Sequence, residues 1–229
     1  TCPNLDIHIR IIRTQGDKNL DKPLNEIGGK AVFTAELEET LLNHKIDMAV
    51  HSLKDLPSTL PTGLLYQGSP QREDARDVFI STKWKSIKEV PKGGTIATGS
   101  IRRKAQLLHQ RSDLIIQGLR GNMDTRLRKL DESYWDGIIT AASAMHRLGL
   151  QDTISQYLDP EYFVPAGGQG ALGLEIAEDR DDVKAILNTI IDINTTCCCQ
   201  SERLYLTKID GGCFVPVGCW ARIENESFL

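Results

Sequence analysis

The chain has 229 residues, 40% of them hydrophobic and 25% charged, with a formal net charge of −4 at pH 7. That length suits one large domain or two to three smaller ones, and the acidic balance argues against a broad phosphate-tracking surface. No apolar run is long enough to span a bilayer and no signal-peptide pattern opens the chain, so no membrane association is expected.

Alternating strand-like and helix-like segments predict an α/β architecture. "LDIHIRIIRT" (5–14) reads as a strand, "GKAVFTAELEETLLNHK" (29–45) as an amphipathic helix and "IDMAV" (46–50) as a second strand. Pro57 and Pro61 mark the chain leaving that strand, with His51-Ser52-Leu53-Lys54-Asp55 in between. His51 is read as a structural strand-end histidine. A charged connector, "SPQREDARD" (69–77), precedes a second set of elements. "GTIATG" (94–99) is a strand and "SIRRKAQLLHQR" (100–111) a helix with Ser100 at its N-cap. "LIIQGL" (114–119) is a strand and "NMDTRLRKLDE" (122–132) a helix capped by Asn122. "DGIITAA" (136–142) is a strand, and "SAMHRLGL" a short helix closed by Gly149. "FVPAGGQGALGLEIA" (163–177) is a Pro/Gly crossing followed by a strand, and residues 181–209 are helical with a break near Asn194. Two α/β lobes joined by the crossings near 69–77 and 163–170 would enclose a cleft. Ligands in such sheets sit beyond the carboxyl ends of the strands, where both Lys54-Asp55 and Ser100-Ile101-Arg102-Arg103 fall.

Charge is concentrated in residues 98–129, where eight basic side chains face two acidic ones. Lys104, Arg111, Arg128 and Lys129 read as solvated helix face. Arg102, Arg103, Arg120 and Arg126 sit in or beside the first turn of a helix that follows a strand. There free N–H groups already favour anions, and a guanidinium group adds bidentate carboxylate binding. The pattern is that of a polyanion receptor. Nucleic acid is disfavoured, because the segment contains no Phe, Tyr or Trp on which bases could stack.

Other motifs tempt and fail. "GGQGALG" holds a formal G-x-G-x-x-G, but Pro165 precedes it and a strand-like stretch follows, so no dinucleotide site is expected. "IGGKAVF" lacks the first Gly of a P-loop and the Ser/Thr after its Lys. The six cysteines (Cys2, Cys197, Cys198, Cys199, Cys213, Cys219) include no CxxC pair. On a helix, Cys197, Cys198 and Cys199 would point about 100° apart in turn and could not share one metal. They read as small packing residues in a reducing compartment, cytoplasm or an organelle stroma.

Taken in order, "AVHSLKDLPSTLP", "TGSIRRKAQL", "LRGNMDTRLRKL", "RLGL", "GGQGALGLE" and "DGGCFVPVG" resemble hydroxymethylbilane synthase, also called porphobilinogen deaminase. The resemblance implies two lobes like those of periplasmic binding proteins, joined by hinge strands, and the start of a small α/β third domain. Residues 1–70 with 170–190 would form lobe 1, 75–165 lobe 2, and 192–229 the start of a C-terminal, cofactor-carrying domain. The chain is expected to be a fragment lacking the family's first strand and helix and most of its third domain, and to act as a monomer.

The resemblance also implies an activity. The family joins porphobilinogen units head to tail with release of ammonia to give hydroxymethylbilane. It primes this with a dipyrromethane cofactor held by a thioether to cysteine, here matched by Cys213; no metal or nucleotide is implied. Thiolate is the competent nucleophile for such attachment. Asp55 matches the catalytic aspartate, where a carboxylate against the pyrrole N–H would stabilise charge developing as ammonia leaves. Ser52, Lys54, Thr98, Ser100, Arg102, Arg103 and Arg120 match cofactor-binding positions. Arg126, Arg147, Lys30, Phe33 and Gln169 match substrate-binding positions. Gln15, Ala35 and Gly99 depart from the family's usual Arg, Lys and Ser or Ala. The competing readings are a non-catalytic, two-lobed anion-binding module and an inactive fragment of the same family.

Overall fold

The computed structural model describes residues 5–12, 14, 34–209, 215–225 and 227–229. Its described residues divide into two compact units. Unit 1 takes the chain up to Arg72, resumes at Ala171 and includes the final stretch from Ala221; unit 2 takes Glu73–Gly170 and the stretch ending at Trp220.

In unit 1, helix α1 (Ala35–Leu42) precedes strand β1 (Ala49–Ser52), a single 3₁₀ turn (Leu53–Asp55) and strand β2 (Leu64–Gly68). In unit 2, β3 (Asp77–Ile80) and β4 (Thr95–Ala97) lead to α2 (Ile101–Gln110), β5 (Ile115–Gln117), α3 (Met123–Glu132), β6 (Gly137–Ala141), α4 (Ala142–Arg147) and β7 (Gln156–Tyr157). The chain returns to unit 1 with β8 (Leu172–Ala177), α5 (Asp181–Leu187) and α6 (Ile193–Lys208), and ends on the hairpin β9 (Ile223–Glu224) and β10 (Ser227–Phe228).

The sheet of unit 1 runs β1-β8-β2, antiparallel throughout, with His51 opposite Gly173 and Tyr66 opposite Glu175. Leu41, Ala49, Leu64 and Ala177 fill the space under α1, while Leu174, Ile176, Val183 and Leu187 pack with α5. A third cluster joins Leu53 and Leu56, from either end of the 3₁₀ turn, to Ala171 and to Cys199 of α6.

The sheet of unit 2 runs β5-β4-β6-β3-β7; β4 is parallel to both β5 and β6, and β3 is antiparallel to its neighbours. Both faces are covered. Phe79, Ile96, Leu107 and Ile139 form one core, and Val78, Ala97, Leu130, Ile138 and Met145 form the other. Burial on two faces explains why "DVFI" and "GIITA" read as unbroken runs rather than alternating ones. Capping follows the sequence: Ser100 Oγ accepts from Arg103 N, and Asn122 Oδ1 accepts from Thr125 N at 2.9 Å. Each such cap is worth about 1 kcal/mol.

Three expectations are revised. Residues 5–12 form no strand, and Ile7, Ile9 and Ile11 are 71, 90 and 87% exposed. Their alternation is a strand's, but among the described residues no neighbour supplies the ladder hydrogen bonds a strand requires. The connector "SPQREDARD" ends inside a buried strand, because Asp77 is the first residue of β3. Helix α6 buries Cys198, Cys199, Glu202 and Arg203. The break in residues 181–209 falls before Asp192, whose carboxylate caps α6 by accepting from Thr195 N at 2.7 Å.

The glycine-rich crossing takes the turn-to-strand form rather than opening a helix. Gly170 has φ +88°, and a Cβ there would overlap the Glu73 carbonyl oxygen, so both conformation and space demand glycine.

Candidate functional site

In unit 2 the three parallel strands end at one edge of the sheet, and the residues that follow β4 and β5 carry the locally basic stretch of an otherwise acidic chain. Gly99 brings the two turns together: a Cβ at 99 would strike the Leu119 carbonyl oxygen, so the loop carrying Arg120 lies directly against the start of α2. Thr98 is buried, and its Oγ1 accepts from Ser100 N at 3.3 Å. Arg126 donates from Nε to Gly121 O at 2.7 Å, and Arg147 from Nη2 to Gly170 O at 2.8 Å. Arg120 is half-buried, and its Nη1 is buried with no hydrogen-bond partner among the described residues. A buried guanidinium nitrogen left unpaired is costly unless an acceptor arrives.

Arg102 and Arg103, expected to receive ligand carboxylates, are both engaged by a carboxylate of the protein. Asp77 is fully buried; Arg102 Nη1 donates to its Oδ2 at 2.7 Å and Arg103 Nε to its Oδ1 at 2.9 Å. Gln169, also buried, donates from Nε2 to Asp77 Oδ1 at 3.0 Å and to Ala75 O at 2.7 Å, and accepts from Arg103 Nη2 at 3.2 Å. Arg102 Nη1 also donates to Val164 O and Arg103 Nη1 to Ile139 O. Burial pushes the Asp77 carboxyl up, but Arg103 and Arg102 outweigh it and hold it below the usual range. For Arg102 burial prevails and lowers its pKa. Two guanidinium groups against one carboxylate leave this buried cluster with one net positive charge.

In unit 1, Ser52 and Asp55 are exposed and Lys54 half-buried, on the turn between Leu53 and Leu56. The two leucines are 2 and 4% exposed and anchor that turn in the core. Leu53 N donates to Ala171 O at 3.0 Å, and Leu56 N to Leu53 O at 3.1 Å. Just before the turn, His51 Nε2 lies 2.9 Å from Glu175 Oε2, both side chains buried, in keeping with a structural histidine. Glu38 of α1 joins this group, with its pKa raised by burial and by the nearby Glu175.

The structure thus gathers Arg102, Arg103 and Gln169 around Asp77, places Thr98 and Ser100 at the start of α2, sets Arg120 and Arg126 in and beside the adjoining loop, and presents Ser52, Lys54 and Asp55 together on unit 1. Lys30, Phe33 and Cys213 lie outside the described residues. Sequence reasoning missed Asp77 and Arg203. Asp77 gave one signal, a carboxylate opening an otherwise apolar run, "DVFI".

A sheet edge with this density of guanidinium groups and capped helix starts is chemically suited to small polyanions. Comparison with known proteins narrows this reading. The family model for the porphobilinogen deaminase dipyromethane cofactor binding domain matches residues 2–185. Porphobilinogen deaminase of Syntrophobacter fumaroxidans is 45% identical over 223 residues, covering 97% of this chain and 72% of that protein. The Desulfitobacterium hafniense protein of the same name is 47% identical over 218 residues, covering 95% and 71%. The chain belongs to the porphobilinogen deaminase family and is an enzyme of tetrapyrrole biosynthesis. The anion-binding module without catalysis is therefore not favoured.

Among solved structures, a putative methionine-binding lipoprotein from Bacillus subtilis is similar with TM-score 0.47 and 12% identity, over 80% of this chain and 82% of that one. A nutrient binding protein from Burkholderia cenocepacia bound to methionine has TM-score 0.46 and 14% identity, over 77% and 80%. Among the described residues no helix is long and apolar enough to cross a membrane, and no group of side chains could hold a metal ion.

Proposed function

We propose that this chain polymerises porphobilinogen head to tail with release of ammonia, that Asp55 is its catalytic carboxylate, and that a dipyrromethane primer is attached through Cys213. The observation that carries the reading is an exposed Asp55 on a turn whose flanking leucines are locked in the core, in a chain of this family. A carboxylate so placed is free to meet a ligand yet pre-organised, which is what stabilising a charge that develops only during reaction requires. As ammonia departs from the aminomethyl carbon, positive charge spreads onto the pyrrole ring, and Asp55 accepts a hydrogen bond from the ring N–H. As the new carbon–carbon bond forms, the pyrrole carbon that makes it loses its hydrogen, and Asp55 can take that proton and pass it to solvent. One C–N and one C–H bond thus break for the one C–C bond made.

The basic residues fit a polycarboxylated primer. The unpaired, buried Nη1 of Arg120 supports this, because an acceptor there removes a desolvation cost the protein alone leaves in place. Ser52, Lys54, Thr98, Ser100, Arg102, Arg103 and Arg120 would hold the primer. When bound, the primer supplies the nucleophilic pyrrole carbon to which the first unit joins. Arg102 and Arg103 act through the net charge of their cluster with Asp77, and Arg120 through direct contact. Arg126 and Arg147, with Lys30, Phe33 and Gln169, serve the substrate and the growing chain. The segment from 192 onward is the cofactor-carrying part, and the enzyme works as a monomer in the cytoplasm or a plastid stroma.

The attachment is tested by intact mass. The purified protein should weigh more than its sequence by two linked pyrrole units, and Cys213→Ser should lack that increment. An unmodified wild-type protein that releases ammonia from porphobilinogen at full rate refutes the covalent primer.

A further inference from the structure

We propose that Arg203 is a positioning residue for the turn that carries Asp55, so that α6 sets the placement of the catalytic carboxylate through the backbone. The inference rests on the reading of Asp55 above. Arg203 is 9% exposed. Its Nη1 donates to Leu56 O at 3.1 Å, and its Nη2 to Pro57 O at 2.6 Å and Ser58 O at 3.3 Å. These are the three consecutive carbonyls that follow Asp55. Arg203 makes no ion pair among the described residues; its other partner is the Tyr66 ring, 5.2 Å from guanidinium carbon to centroid.

Burial lowers the pKa of Arg203, the mark of a cation held where charge is disfavoured. Simple packing would be met more cheaply by an apolar side chain. What arginine supplies, and a methylene stem does not, is a rigid planar fork that reaches several oxygens at once. The clamp is itself held. Tyr66 Oη lies 2.6 Å from Ser69 Oγ, which donates to Leu172 O at 2.5 Å. On its near side the turn is fixed by Leu53 N on Ala171 O. Asp55 therefore sits between two anchored stretches of backbone, one held by Ala171 just before β8 and one by α6. Removing the α6 anchor loosens its placement without touching any group that binds carboxylates.

The test measures kcat and KM separately in the cofactor-loaded protein carrying Arg203→Met, Arg203→Lys, Asp55→Asn or, as a matched core lesion, Val183→Ala. Val183 is buried against Leu174, Ile176 and Leu187, away from the turn. In Arg203→Met, kcat should fall about 10- to 100-fold, the scale of a misplaced catalytic group, with KM within about twofold of wild type. Arg203→Lys, whose donors all sit on one nitrogen and cannot span the three carbonyls as a planar fork does, should fall between. Amide exchange across residues 53–60 should quicken in both, while exchange across Gly137–Ala141 stays as in wild type. Val183→Ala should melt earlier with kcat retained. Wild-type kcat in Arg203→Met overturns the inference, as does a loss that Val183→Ala reproduces at equal stability. Should Arg203→Met not fold, wild-type kcat and exchange in Arg203→Lys overturn it. If Asp55→Asn is inactive while the Arg203 variants are normal, only this inference falls; an active Asp55→Asn removes the reading beneath it.

Discussion

Asp77→Asn is the sharpest perturbation of unit 2. The wild-type cluster places one carboxylate, fully buried, between Arg102 and Arg103, whose side chains are 5 and 7% exposed. The substitution keeps the shape but removes the charge, and turns an amide N–H₂ toward a guanidinium group. Two buried cations then face each other with only neutral acceptors, the one amide oxygen left at position 77, Val164 O, Ile139 O and the Gln169 amide oxygen. Breaking a buried pair on one side costs about 3–5 kcal/mol. At about 2–4 °C per kcal/mol for a chain of this size, the melting temperature should drop by roughly 10 °C. The pH dependence gives a second check. Asp77 has a depressed folded-state pKa, so its contribution is complete above the unfolded value of about 3.9 and is lost as pH falls through the folded value. Urea unfolding of both proteins should show a constant deficit from neutral pH down to roughly pH 4, then convergence in stronger acid. A deficit under about 1 kcal/mol at pH 7, the scale of an exposed pair, would contradict the charge accounting.

Glu38 predicts the opposite sign: its folded-state pKa is raised, so ionisation at neutral pH works against folding. Glu38→Gln should stabilise unit 1 at pH 7, and the gain should shrink as pH falls through the folded-state pKa toward the ordinary glutamate range, read by urea unfolding at both ends. Gly99→Ala should cost about 1–3 kcal/mol, because the added methyl meets backbone that cannot move without carrying Arg120 with it; thermal melts and porphobilinogen turnover should both report the loss. Burial pushes the Cys199 thiol up to about 12, while Cys197 is exposed. Iodoacetamide at pH 8 should label Cys197 and leave Cys199 intact by peptide mass mapping.

Local chemistry was legible in this sequence and long-range pairing was not. Ser100 and Asn122 announce their helices because a cap is a contact across three residues. The runs "TIA" and "GIITA" announce strands because both faces of the sheet are dry around them. Arg102 and Arg103 sit in a first turn, as read, yet what they face is decided by Asp77, some 25 residues earlier. The same Asp77 made β3 look like the end of a polar connector, since a carboxylate in a buried strand makes sense only with its partners known. Arg203 reaches carbonyls 145 to 147 residues away, a contact with no sequence signature. The residues 5–12 went the other way, showing alternation with no partner strand among the described residues.

The account turns on whether Asp55 acts on the chemistry rather than on the fold. Asp55→Asn in the cofactor-loaded protein, assayed for ammonia release from porphobilinogen, should melt within about 0.5 kcal/mol of wild type because the side chain is exposed, and should lose at least about 100-fold in kcat. A variant that releases ammonia at near wild-type rate would contradict it.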